Sequence, residues 1–247
     1  PVYDLWFSFQ ENIWWNQLKV SGNMQNVSIH IISIIVLFTA LGDTSLNKEK
    51  TDLISNSYFP INQYAALIYE SSFGETVSNY FQDGEFTIST SEADDFKYRQ
   101  ALIIKEDGVY VIETYQFIKI FLFINKEAKS SYEKPLLRFP LPLLPGKRWE
   151  WEGDEYSDGD TSKIKVSGKV FDKEFVKTDA GNFDAIKIES LVEGSSDLKN
   201  RVTEWYVEGI GLIRAKVIIE GGGIMGFARD ILGYGTIEFE LKEIRNQ

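Results

Sequence analysis

From Tyr58 onward the chain is a succession of short β-rich runs set between turn residues, and that cadence admits few folds. The spacing predicts strands at Ala65–Ser71, Val77–Phe81, Glu85–Thr90, Phe96–Ile104, Val109–Tyr115, Phe117–Ile124, Arg148–Glu152, Ser162–Lys177, Phe183–Val192, Val202–Val207, Gly211–Ile219 and Thr236–Leu241. Gly84, Gly108, Gly153, Gly159 and the stretch Gly209 to Gly211 fall between or at the ends of these runs, where hairpins need positive φ. In Lys163-Ile164-Lys165-Val166 and Lys187-Ile188-Glu189 apolar and charged residues alternate, as in an antiparallel strand with one wet face. The run "FIKIFLF" at Phe117 to Phe123 is nearly all apolar and predicts a strand covered on both faces. Helical periods between strands are missing, which argues against α/β folds; only Ile224 to Leu232 fits a short helix.

One segment departs from this pattern. "KPLLRFPLPLLPG", Lys134 to Gly146, gathers four of the six prolines with five leucines. Proline donates nothing to a ladder, so the segment is expected to be an extended connection lying over a sheet face, not a central strand.

Composition excludes several chemistries. The only histidine is His30 and there is no cysteine, so no His-dependent triad, no thiol nucleophile, no disulfide and no ordinary His/Cys zinc site can be built after residue 42. Only Lys19, Asp4 and Glu11 are charged before Asp43, so the formal charge of −11 resides almost wholly in the rest of the chain. A balance this acidic argues against nucleic acid as a partner. These absences predict a protein that is not an enzyme and needs no cofactor.

The first 57 residues have a different character. "MQNVSIHIISIIVLFTALGD" from Met24 to Asp43 holds an apolar run shorter than the ~20 residues of a spanning helix. Ala40-Leu41-Gly42 places small residues where a signal peptidase would cut, so 24–42 reads as a signal-peptide-like segment. Residues 1–23 read as an upstream or non-native extension, 43–57 as a polar linker and 58–247 as one antiparallel β domain. The expected location is exported, periplasmic or extracellular; without cysteine, anchoring through a lipidated thiol is excluded.

Other motifs are weaker. "GGGIMG" at Gly221 to Gly226 matches G-x-G-x-x-G, but too few residues come after Gly226 to complete a βαβ unit, so it reads as a glycine-rich loop. "EGDEYSDGD" at Glu152 to Asp160 gathers five carboxylates, yet Tyr156 and Lys165 occupy places where a calcium loop needs ligands. It reads as a solvated hairpin tip, with no metal. Trp149 and Trp151, two apart on one strand, share a face; with Trp205 and Tyr206 they either fill the core or line a concave apolar pocket.

Taken together, "YFP" at Tyr58, "FPLPLLPGKRWEWEG" at Phe139, "TDAGNFDAIKIE" at Thr178 and "EWYVEGIGLIRAK" at Glu204 resemble a family of uncharacterised exported bacterial β-sheet proteins. Its strand plan is similar to the lipoprotein-carrier half-barrels of the LolA and LolB type. The resemblance implies an all-β fold, a strongly curved antiparallel sheet with at most one or two short helices, whose concave face could hold an apolar ligand. It transfers no functional residue. Two functions are then expected: an envelope protein binding a lipid or other hydrophobic molecule at Trp149, Trp151, Trp205 and Tyr206, or a module with a filled core that docks another envelope protein.

Overall fold

The computed structural model of the chain describes residues 58–59, 61, 63–121, 124–194, 199–220 and 235–246. The signal-like segment, the linker, the GGGIMG loop and the expected helix at 224–232 lie outside them. The described elements are twelve strands: β1 (Tyr64–Ser71), β2 (Gly74–Asp83), β3 (Phe86–Ala93), β4 (Phe96–Lys105), β5 (Gly108–Phe121) and β6 (Ile124–Pro140). They continue with β7 (Arg148–Ser157), β8 (Asp160–Thr178), β9 (Gly181–Gly194), β10 (Lys199–Val207), β11 (Gly211–Glu220) and β12 (Thr236–Asn246). Each pairs antiparallel with the next, and β12 returns to β1, so the curved sheet closes into a barrel. Closure removes the free edges that an open half-barrel would keep.

Local chemistry sets the corners. Ser157 pairs with Asp160 across Asp158 (φ 51) and Gly159 (φ 89), the two positive φ values of a tight hairpin whose twist matches its strands. Val207 pairs with Gly211 around Gly209 (φ 79), as the run "VEGIG" predicts.

Two expectations are corrected. Val109–Tyr115 and the part of the expected next strand from Phe117 to Phe121 belong to one strand, β5, because Gln116 continues the inward alternation instead of breaking it, and Ile124 opens β6. In that strand Ile118 is buried while Phe117 and Lys119 are only half buried, and Lys119 pairs with Asp95 at 2.9 Å, so this part is not covered on both faces.

The proline-rich segment is also a strand in its first half, since β6 runs to Pro140. It tolerates proline because its ladder is incomplete. Residues 132–135 bulge against Ile112 alone on the β5 side, and β6 pairs with β7 only at Ser130, Ser131 and Tyr132. Pro135 and Pro140 therefore fall where few donors are required. The Trp151 indole bridges the seam, donating to the Pro135 carbonyl at 3.1 Å. The remainder of the segment seats Leu141 and Leu143 in the core.

The barrel has two kinds of inner wall. From β8 to β12 it is mainly apolar, with Asn200 and Glu204 of β10 as buried exceptions: Val166, Val170, Ile188, Val202, Ala215, Val217 and Phe239 are buried in one contiguous cluster. The outer face of the same strands carries cross-strand ion pairs, including Lys199–Glu193 (3.1 Å), Arg201–Glu220 (3.5 Å) and Lys216–Glu238 (2.5 Å). Exposed pairs stabilise by under about 1 kcal/mol each. Their placement matters more, because a membrane-spanning barrel turns an apolar band outward and this wall turns charges outward.

Candidate functional site

Polar tiers cross the inner wall from β2 to β7, alongside core residues such as Phe96, Leu102, Val111 and Trp151, and register makes these polar residues continuous. Tyr80 stands opposite Ser89, Ser89 opposite Gln100, Gln100 opposite Thr114, Thr114 opposite Ser130, and Ser130 opposite Ser157. One tier of hydroxyl and amide side chains thus crosses six strands. A second tier lies beside it, Ser78, Ser91, Tyr98 and Gln116, with the Ser78 and Ser91 hydroxyls bonded at 2.9 Å. Ser89 and Gln100 are almost completely buried, at 1% and 0% exposure. Yet the Ser89 hydroxyl, the Tyr98 hydroxyl and both amide atoms of Gln100 have no hydrogen-bond partner among the described residues. Buried polar atoms are nearly always paired, which makes this cluster the candidate position for a polar group inside the barrel.

A buried ionic centre is the second feature of the interior. Arg138 of β6 donates to the Glu204 carboxylate of β10 at 2.7 Å and to the Tyr206 hydroxyl. Tyr206 donates to the same carboxylate at 3.1 Å. The guanidinium stands 4.9 Å from the Phe139 ring, and Phe59 closes over Phe139 and Tyr206 at 5.6 and 5.9 Å. Burial raises the Glu204 carboxyl above its ordinary range, against the Arg138 charge and the Arg138 and Tyr206 hydrogen bonds, which lower it. The centre is hidden in the sequence because Arg138 sits inside the proline-rich run. The signal available is a single cation within "PLLRFPL" and the two-residue spacing of Val202, Glu204 and Tyr206.

Burial also pushes the hydroxyls of Tyr69, Tyr98, Tyr132 and Tyr206 well above the ordinary tyrosine value. Because their folded values exceed their unfolded ones, the stability they contribute is complete below about pH 10 and is lost as pH rises further. In an alkaline titration followed by tyrosinate absorbance, these four should ionise only together with unfolding, while exposed tyrosines titrate first. Smooth ionisation of every tyrosine with secondary structure intact would contradict their burial.

The aromatic residues singled out in the sequence do not form one site. Trp149 and Trp151 both point inward, as their spacing requires, and both pack on glycine. A Cβ on Gly168 would lie 2.3 Å from the Trp149 ring, and one on Gly153 would lie 2.7 Å from Trp151. Trp151 also meets Tyr132 edge-on at 6.0 Å. Tyr206 faces inward in the ionic centre. Trp205 faces outward, where its indole donates to Glu174 and Arg214 lies 5.9 Å from its ring. It borders an outer groove of about 630 Å³ that also includes Asp179, Arg214 and Glu238. The carboxylates of Glu152 to Asp160 diverge as well: Asp154 pairs with Lys163 at 3.0 Å, Glu155 is buried inside and Asp158 forms the turn. Among the described residues no group of three or more His, Cys, Asp or Glu side chains could hold a metal ion.

Residues 156–226 are similar to the family described as DUF3108-like. None of the curated proteins matches the chain. Among solved structures, the chain is similar to a candidate lipoprotein from Parabacteroides distasonis ATCC 8503, with 11% identity and a TM-score of 0.35 over 74% of this chain and 96% of that one. It is also similar to a candidate exported protein with a YmcC-like fold from Bacteroides fragilis NCTC 9343, with 15% identity and a TM-score of 0.37 over 75% of this chain and 97% of that one.

Proposed function

We propose that this chain is an exported, non-enzymatic protein of the bacterial envelope that binds an amphipathic small molecule inside its barrel. The observation that carries the reading is the divided interior, in which a polar tier of mostly short side chains on β2 to β7 faces the apolar wall of β8 to β12. Eight strands already make a barrel whose interior side chains just fill it. Twelve strands with serine and threonine along one wall favour an interior that accepts a ligand. Export rests on the signal-like run at 24–42, and the absence of histidine and cysteine after it supports binding over catalysis. The analogy is with curved-sheet carriers of the LolA and LolB type, with the ligand enclosed and not laid on an open face.

The alternative, a docking module with a filled interior, draws support from the continuity of the apolar cluster. Extraction separates the two. Protein purified from a bacterial host and extracted with organic solvent should yield an apolar or amphipathic molecule in roughly stoichiometric amount by mass spectrometry. The stripped protein should then change its tryptophan fluorescence when fatty acids, monoglycerides or phospholipids are offered. Repeated recovery of nothing, with no fluorescence response, would favour the docking module.

A further inference from the structure

We infer that Ser89, Tyr98 and Gln100 form a head-group subsite that selects an uncharged, hydroxyl-bearing head over a carboxylate. This rests on the proposed binding function and specifies its ligand class. Gln100 and Ser89 are direct neighbours across β3 and β4, and Tyr98 lies two residues along β4 on the same face. Gln100 offers an amide oxygen that accepts and an amide nitrogen that donates, and each hydroxyl can do either. A glycerol-like head, whose hydroxyls both give and take hydrogen bonds, complements that set.

An anionic head does not. Neither polar tier contains a cation, and the nearest buried guanidinium, Arg138, is bonded to Glu204. Glu155, buried opposite Tyr132 on the same inner wall, adds no positive charge there. A carboxylate would therefore lose its hydration without gaining a counter-charge. The charge of Arg138 is already balanced by Glu204.

The test compares two probes with the same acyl chain, monomyristoylglycerol and myristate, at mildly alkaline pH where the acid is ionised. Binding to the stripped full-length protein is read by displacement of a fluorescent fatty-acid analogue. Wild-type protein should prefer the monoglyceride by about tenfold or more, the scale of one or two hydrogen bonds that an anion cannot use well. Gln100→Leu should bring the ratio near unity by weakening the monoglyceride alone, and Ser89→Ala, a smaller change, should lower it part of the way. Equal binding of the two probes by wild type, or a ratio untouched in both variants, would overturn the subsite while leaving the binding function standing. Failure of both probes to bind wild type at all would overturn both.

Discussion

Arg138→Met is expected to destabilise the protein by about 3–5 kcal/mol near neutral pH, because it leaves a buried carboxylate without its counter-charge. For a domain of this size the melting temperature should fall by roughly 10 °C. The loss should depend on pH in a definite direction. Burial already holds the Glu204 carboxyl above its ordinary range, and removing the guanidinium raises it further. The folded variant then holds this proton more tightly than the unfolded chain does. Its stability is therefore greatest below the unfolded carboxyl value of about 4.3 and declines as pH rises through the elevated folded value. Adding Glu204→Gln to Arg138→Met should restore much of the stability at neutral pH and flatten the profile, since a neutral amide still accepts from Tyr206. Urea unfolding of the three proteins across that range measures the effect. A loss independent of pH, or no recovery in the double variant, would show that the carboxylate is not the source of the cost.

The second large effect is expected at Gly168. A Cβ there would sit 2.3 Å from two atoms of the Trp149 ring and 2.8 Å from the Glu189 carbonyl oxygen. Gly168 does not have the left-handed φ that glycine alone tolerates, so the obstacle is purely steric. Gly168→Val should cost about 3 kcal/mol, at the upper end of what forced overpacking usually takes. In a Trp149→Leu background the same change should cost clearly less, though not nothing, because the carbonyl remains. At Gly153 the close neighbours are atoms of Trp151, with the flexible end of Lys134 at 3.5 Å and no backbone atom among them, so Gly153→Val should be milder. Thermal melts of these variants would establish whether the two tryptophans act as packing elements seated on glycine. Equal losses at Gly168 with and without Trp149 would contradict the contact.

How far the sequence reveals this molecule differs from wall to wall. The strands of β8 to β12 are legible because apolar-in, charged-out alternation is the signature of a half-solvated sheet, and their observed bounds differ from the expected ones mainly by extension. The run at 126–133 in β6 is not legible as a strand, because serine, lysine and glutamate there obey no apolar period and the prolines after it discourage a ladder. The polar tier is illegible for a related reason. In "FTISTSEA" the alternating serines and threonine face inward, while Ile88 takes the opposite register. A pattern that assumes apolar residues mark the inside assigns the wrong face to such a strand. The candidate aromatic site fails to converge because adjacency along a strand separates side chains: Trp205 and Tyr206 point to opposite faces by the geometry of the pleat. Closure of the sheet depends on β12 meeting β1, a pairing between the two ends of the described chain that no local pattern announces.

The central claim, that the ligand lies inside the barrel, can be read from fluorine NMR of protein labelled with fluorotryptophan, with resonances assigned by single Trp→Phe variants. Adding monomyristoylglycerol to the stripped protein should shift the resonances of the inward Trp149 and Trp151 and leave that of the outward Trp205 in place. A shift confined to Trp205, or no shift at any of the three, would contradict it.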